Sequence, residues 1–424
     1  MNANVNKHGS KNYGRNERKK GSSKKNIYYL NIAKRYRAVK FIILTVFIAY
    51  LLSMIAIFRN EITVENFRYL IKYLDTNSPE YTGETRRITY DPAADIQLGL
   101  FKGELAVVRG KSVDIYNMLG NLTLSYVINY AKPVLKVSKQ YMLIYSQNES
   151  SYTINNIFSE LYGESLDFPI SGAAVSDSGS YAIITKTLEY RSAVYIYDKN
   201  FNRLAHVLKG DKLVMDVDIS SDGNRTLVLS VYTLNGEFYT ELLMMRSPYS
   251  ETSQHTNIVP SSCGVKCGFN AAGGYTVICD DKILFYSGGD ELISTYSYNN
   301  LVPLNFFLGD YYSVLAFNEN IIGSNNNVYV FGSGGELLYK GVISGQITDI
   351  DGDSETIYFL LENGAVELKP LNGTVRQGRV ANGGLRLMLM DKNRMLISYP
   401  QYADVYMTEE VFGENSDNYG ETNK

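Results

Sequence analysis

The residues best able to do chemistry in this chain are few and poorly grouped. The densest acid cluster, Asp349-Ile-Asp-Gly-Asp-Ser-Glu355, places carboxylates at every second position, as an oxygen cage for a hard cation would. A calcium loop of the EF-hand type needs Asp-x-Asp-x-Asp-Gly and a later bidentate Glu, so that the oxygens converge at a sharp turn. Here Gly352 precedes the third aspartate, Asp353, and the cluster reads instead as an acidic, solvent-exposed turn between strands. Cys263 and Cys267 stand four apart, with Cys279 on the next predicted strand. Zinc would need a fourth ligand, and the nearest histidine, His255, has no partner at a supporting spacing. Cys267 and Cys279 flank a turn at 271–274, which leaves cross-strand pairing and buried free thiols both open. Of the three histidines, His8 lies in the N-terminal arm, and His206 and His255 read as surface or turn residues. Adjacent carboxylates at Asp280-Asp281 and Glu409-Glu410 would point to opposite faces of a strand. No nucleophile elbow or phosphate loop is present. The sequence therefore nominates no catalytic, cofactor-binding or metal-binding residue, and no cofactor.

The elements around these residues are easier to read. Residues 41–58 form an uncharged apolar run of eighteen residues, about 27 Å as a helix, against a hydrocarbon core of about 30 Å. Lys40 and Arg59 bound it and can snorkel to headgroups. Residues 1–40 carry twelve Lys/Arg against the single acid Glu17, so the overall charge of -3 leaves -14 for the rest of the chain. The positive-inside rule then puts a disordered basic arm, 1–40, in the cytoplasm, a transmembrane helix at 41–58, and the remainder outside. The arm's charges suit anionic lipid, and nucleic acid is not expected as a partner. A cleaved signal peptide is the competing reading, but no small-x-small cleavage signal follows Ile57. Between membrane and domain, 59–84 reads as a linker whose Phe67, Leu70, Ile71 and Leu74 recur at helical spacing. Residues 409–424 are acidic and polar and read as a disordered tail.

Outside the span, abundant Tyr (36 residues), no Trp and only 9 Pro, with short apolar alternation, favour β structure. The 36 tyrosines also suit a recognition surface. Three cysteines are too few to staple a fold, so an apolar core must hold it. From Ala94 a unit of about forty residues returns: an alternating strand, a turn, two apolar strands, another turn and a fourth strand. Asp222-Gly223 makes one such turn, and Val175–Thr185 has the same shape. The outer hairpin recurs at 113–124, 194–207, 283–293 and 328–340. Unit starts fall near Ala94, Pro133, Ile170, Met215, Val265, Pro303, Ile347 and Leu385, spaced by 37 to 50 residues. A blade cannot bury both faces alone, so radial stacking is the expected solution. The last unit has room for three strands, and the isolated segment 86–91 is expected to supply its fourth. The expectation is an all-β propeller over 85–408, of eight blades, with seven as the alternative because the unit at 133–167 is irregular.

These hairpins resemble those of the WD40-like and quinoprotein-like propeller superfamilies. The layout of basic arm, single span and degenerate propeller over about 20–408 resembles an uncharacterised bacterial membrane-anchored family, domain of unknown function family 5711. The chain departs from WD40 repeats in lacking the Gly-His and Trp-Asp signatures, and the absence of Trp argues against a quinone cofactor. The resemblance and the empty catalytic inventory imply a single-pass protein of the cell membrane, its propeller extracellular. Its expected role is a non-catalytic scaffold or binding module of the cell envelope whose partner is a membrane or envelope protein or a wall polymer. An envelope hydrolase acting on glycan or peptide is the alternative, and acids from different blades converging on the channel would favour it.

Overall fold

The computed structural model describes residues 19–57, 86–92, 96–117, 120–156, 159–318 and 325–413. The chain divides into two compact units, residues 1–83 and 84–424. In the first, a helix, α1 (Lys19–Ile57), carries the apolar run. Every side chain from Ile32 to Ser53 is exposed. This stretch of 22 residues, mean hydropathy 1.7, is long and apolar enough to cross a membrane, a test that a signal sequence near the N-terminus also passes. Thr45 Oγ1 donates to Phe41 O (2.9 Å) and Ser53 Oγ to Tyr50 O (2.8 Å), so both hydroxyls fold back onto the helix backbone. Because α1 starts at Lys19, the second half of the arm is helical where the composition suggested disorder. The helix expected around 67–74 lies outside the described residues.

The second unit is an eight-bladed propeller of four-stranded sheets, each strand antiparallel to its neighbours. Strands are called A to D from first to last in each blade. Blades 1 to 7 are continuous in sequence: 97–127, 133–165, 172–209, 213–260, 264–297, 303–344 and 347–378. Their starts lie within three residues of those read from the repeat. The irregular unit is a complete blade 2, with strands Pro133–Val137, Met142–Ser146, Ser151–Asn155 and Glu160–Ser165. The A strand of blade 8 packs against that of blade 1, which closes the ring.

The burial pattern explains the repeat. Strands B and C are covered on both faces by the adjacent blades, so Tyr181–Thr185 and Tyr275–Cys279 are buried at every position. A and D strands alternate, as in Leu213–Ile219, because one of their faces meets water. Each core cluster joins two blades: Ile184, Val194 and Ile196 of blade 3 meet Val217, Val228 and Leu243 of blade 4. Much of the abundant tyrosine is spent here. Tyr181 stacks on Tyr197 at 4.7 Å between ring centroids, and Tyr275 on Tyr286 at 4.7 Å, each pair facing across strands B and C.

The C–D turns share one geometry in blades 1, 3, 5 and 6. The fourth turn residue has a positive φ (Gly120 +78°, Phe201 +67°, Asp290 +69°, Gly335 +84°), and the register shifts by one residue beside the turn. That is the three-residue hairpin with a bulge, which lets short outer strands twist with the blade. At Gly335 a Cβ would stand 2.6 Å from the Phe285 ring, so both backbone conformation and space call for glycine.

Blade 8 holds Arg386–Asp391, Arg394–Ser398 and Tyr402–Met407, and its outer strand is the N-terminal segment Arg86–Thr89, antiparallel to Tyr402–Met407. Ile88 is fully buried among Leu98, Leu105, Met388 and Leu396. Arg87 lies opposite Asp404 and holds it through two bonds, Nε to Oδ1 at 2.9 Å and Nη2 to Oδ2 at 2.8 Å, while its guanidinium covers the Tyr402 ring. Tyr90 donates to the carbonyls of Tyr399 (2.6 Å) and Tyr402 (2.8 Å). Of the tail read as disordered over 409–424, residues 409–413 are described and 414–424 lie outside the described residues. A short helix, α2 (Thr408–Phe412), buries Val411 and Phe412 against Tyr358, Leu360 and Tyr399.

Closure of the ring by residues 86–90 makes two tests. A chain beginning at Ala94 is expected to melt well below one beginning at Asn77, with loss of cooperativity, because an outer strand edge and the Ile88 site are left open. Arg87→Ala is expected to cost roughly 1–3 kcal/mol in urea titration by leaving the buried Asp404 carboxylate without its partner. Equal stability of the two truncated chains would refute the closure.

Candidate functional site

The A strands of blades 4 to 7 are Leu213–Ile219, Gly264–Phe269, Pro303–Leu308 and Ile347–Gly352. Each contains a register shift, placed between Val214 and Asp216, Gly264 and Lys266, Pro303 and Asn305, and Ile347 and Asp349. The polar residue after each shift lies on the innermost strand, whose inner edge has no strand partner. In blades 4 and 7 an Asp-x-Asp pair supplies that partner to the next blade. Asp216 accepts from Cys267 N–H (3.0 Å) and Asp218 from Phe269 N–H (2.8 Å). Asp349 accepts from Leu387 N–H (2.9 Å) and Asp351 from Leu389 N–H (2.8 Å). In blade 6 the polarity reverses, and Asn305 Nδ2 donates to Ile347 O at 3.0 Å.

Burial sets the titration of these groups. It pushes Asp218 up to about 6 against the pull of the Phe269 N–H, and Asp351 up to about 6 against Leu389 N–H. Asp349 is raised for the same reason. Burial works against the Lys266 ammonium, but the charge and hydrogen bond of Asp216, 3.0 Å away, outweigh it and raise its pKa. Lys136 of blade 2 is lowered by burial, with Lys266 and Arg386 adding repulsion and Asp216 and Asp218 opposing it.

The motifs singled out from the sequence fall as follows. The acid cluster is no simple turn: Asp349 and Asp351 sit on strand A of blade 7, and only Asp353 and Glu355 occupy the turn after it. Asp280 and Asp281 form the two-residue turn between strands B and C of blade 5, and both hold the preceding connection, Asp280 through Cys263 N–H and Asp281 through the Ser262 hydroxyl. They act together, which strand alternation had ruled against. Glu409 and Glu410 lie on α2. All three cysteines are free thiols, Cys267 facing Val277 and Cys279 facing Gly264. Burial pushes Cys279 up to about 12 and Cys267 well above the usual thiol range. His206 and His255 lie exposed on outermost strands, Arg203–Lys209 and Gln254–Pro260. Among the described residues, no group of three or more His, Cys, Asp or Glu is placed to hold a metal.

The two faces of the disc differ. On the A–B face a cavity of about 600 Å³ is ringed by turns of blades 2 to 6, with Asp218 in its wall. Those turns interlock: Lys139 N–H and the Ser221 hydroxyl both bond Asp177 (2.7 Å each), and Ala271 N–H bonds Asp310 O (2.8 Å). The opposite face carries the B–C turns and the D–A connections. Here strands B and C of blade 4, Arg225–Leu234 and Glu237–Arg246, are ten residues each, where those of blade 5, Tyr275–Cys279 and Lys282–Tyr286, are five. They meet at a two-residue turn with Asn235 at φ +54° and Gly236 at +85°, the geometry that matches strand twist. The extended hairpin is stiffened by Tyr232 stacked on Tyr239 and exposes Leu234 (52%) and Phe238 (51%) at its end. The sequence held two signals for it: the Asn-Gly dipeptide and the longest repeat spacing. On the same face Leu213, Val265 and Leu304, at the first or second position of their A strands, are exposed at the mouth of the channel. Beside them a cleft of about 850 Å³ opens between blades 6 and 7.

Residues 79–405 match a sequence family described only as a family of unknown function, DUF5711. The chain belongs to DUF5711. No protein of curated function matches it. Among solved structures, this DUF5711 propeller is similar to the C-terminal WD40 domain of Sif2, with 13% identity and a TM-score of 0.53 over 77% of this chain and 99% of that one. A eukaryotic initiation factor gives 10% identity and a TM-score of 0.51 over 78% and 85%. BamB from Moraxella catarrhalis gives 10% and 0.48 over 76% and 98%. At such identities the likeness is one of fold.

The buried aspartates make a pH test. A carboxylate whose folded pKa is raised to about 6 from an unfolded value of about 3.9 destabilises the fold once ionised. The stability it leaves intact below pH 4 is lost as pH rises through 6. An asparagine at the same position keeps an acceptor oxygen for the backbone N–H. Asp218→Asn and Asp351→Asn are each expected to gain roughly 1–3 kcal/mol over wild type at pH 7.5 and nothing at pH 4, measured by urea titration. A difference that does not change with pH would contradict this assignment.

Proposed function

We propose that this DUF5711 protein is a membrane-anchored, non-catalytic binding module that engages a partner protein of the cell envelope through its B–C face. The observation that carries this reading is the blade 4 hairpin, a rigid projection that holds Leu234 and Phe238 in solvent. Exposed apolar groups on a stiff arm are costly unless something covers them, and rigid presentation lowers the entropy lost on binding. The exposed apolar rim of the channel continues that surface. Acids from blades 4 and 7 do converge on the inner strands, but each is committed to a backbone N–H of the next blade. That commitment favours an architectural role for them.

One observation favours the hydrolase alternative: Asp218, held near 6, borders the A–B cavity, where a general acid or base would be useful. Turnover of an envelope glycan or peptide that Asp218→Asn abolishes would replace the scaffold reading.

Anchorage by α1 with the basic arm inside and the propeller outside rests on the apolar segment and the charge asymmetry. Protease added to intact protoplasts is expected to degrade the propeller and spare the arm. A soluble mature protein beginning near residue 58 would show instead that the segment is a cleaved signal.

The binding role is tested by crosslinking in intact cells and mass spectrometry. Leu234→Ser/Phe238→Ser, a surface change that leaves the melting temperature within a degree or two, is expected to reduce recovery of an envelope partner by about tenfold or more. Undiminished recovery would remove the hairpin from the interface.

A further inference from the structure

We infer that the cleft between blades 6 and 7 is a site for an extended peptide segment carrying an apolar and a basic side chain. This rests on the binding-module reading and goes beyond it in naming a second site and its ligand chemistry. The cleft's volume, about 850 Å³, is in the range of sites that enclose a ligand. Among the described residues its walls hold six amide side chains and one ionisable group, Glu362. Three of those amides, Gln346 on the D–A connection, Asn363 on the B–C turn of blade 7 and Gln377 on its outer strand, are exposed and have no hydrogen-bond partner among the described residues. Each offers two donors and an acceptor, the complement of a peptide group, which has one of each.

Several of the described connections around the cleft are already hydrogen-bonded. Glu362 N–H bonds Gln346 O at 3.0 Å, Gly383 N–H bonds Glu362 O at 3.1 Å, and Asn326 Nδ2 bonds Gly345 O at 2.6 Å. At the outer end Gly378 lies so close to α2 that a Cβ would stand 2.5 Å from Val411 and Phe412, which fixes the helix beneath the cleft. Leu304, exposed at the channel mouth, and Leu361 supply apolar wall. A glycan is the other ligand that amides could serve, but sugar sites set an aromatic face against the ring C–H groups. Among the described residues, no aromatic residue lines this cleft. A peptide's backbone would take the free amides, its apolar side chain the Leu304 side, and its basic side chain Glu362.

The test uses the full-length protein in nanodiscs and a phage-displayed library of random linear heptapeptides, with chitotetraose as the glycan probe. Enriched peptides are expected to share an apolar residue and a Lys or Arg at fixed spacing. Gln346→Ala/Asn363→Ala/Gln377→Ala should weaken them by about tenfold or more without changing the melting temperature. Glu362→Gln should weaken the basic peptides and leave their Lys→Gln or Arg→Gln counterparts unchanged, while Leu234→Ser/Phe238→Ser should keep peptide binding. No enrichment, peptides that bind the triple variant equally well, or displacement of nothing but bound chitotetraose would overturn the site. Partner capture in cells separates the two readings: capture that survives the triple variant undiminished counts against the cleft alone, whereas absence of any captured partner by wild type counts against the binding module itself.

Discussion

A sheet whose two middle strands are apolar on both faces cannot stand alone, and every other feature of this molecule follows from that constraint. Each blade must be covered on both sides, so the series can end only by returning to its beginning. The return is made by residues 86–89, which add an outer strand to blade 8 and place Ile88 in the seam between blades 8 and 1. The residues joined, Arg87 and Asp404, are 317 positions apart. Bringing such distant segments together carries a chain-entropy cost that grows only slowly with length, whereas the seam restores a complete interblade core. Stability therefore belongs to the ring and is shared among blades. The loops on either face inherit fixed positions from it.

The same geometry leaves an unpaired strand edge at the centre of every blade. The Asp-x-Asp pairs of blades 4 and 7 and Asn305 of blade 6 resolve it by reaching one blade ahead. This use of carboxylates has a price in electrostatics, because partial burial holds Asp218 and Asp351 near 6. Each of these carboxylates gives one of its acceptor positions to a structural N–H.

The sequence made the ring legible and its inner wiring illegible. Repetition gave blade starts to within three residues, because the B and C strands must be apolar throughout and the turns between them are tight. The shortfall of strands at Leu385 pointed to the closing segment for the same reason. What failed was any reading that depended on partners distant in sequence. Asp349 and Asp351 looked like turn acids because their partners, Leu387 and Leu389, are 38 residues away. Asp280 and Asp281 looked opposed because nothing local shows that both meet the Ser262–Cys263 connection. At the start of the tail, Glu409 and Glu410 mask a buried Val411 and Phe412. Tyrosine suggested a recognition surface, whereas Tyr152, Tyr181, Tyr275, Tyr298 and Tyr399 fill interblade space.

Rigidity decides what such a disc is good for. On the B–C face, turns are tied to neighbouring connections, Ser262 N–H to Phe238 O at 3.2 Å and Gly383 N–H to Glu362 O at 3.1 Å, so a group placed on them loses little further freedom when it is covered. The hairpin of blade 4 and the cleft between blades 6 and 7 are both of this kind, one projecting and apolar, the other recessed and rich in amides. They arise on the same face because strands B and C and the D–A connections end there in every blade. A partner that spans the face can gain from both without either being strong. Tethering, as proposed for α1, would raise the effective concentration toward other membrane proteins still further. Modest contacts on a stiff, tethered surface then suffice where a freely diffusing domain would need a large interface.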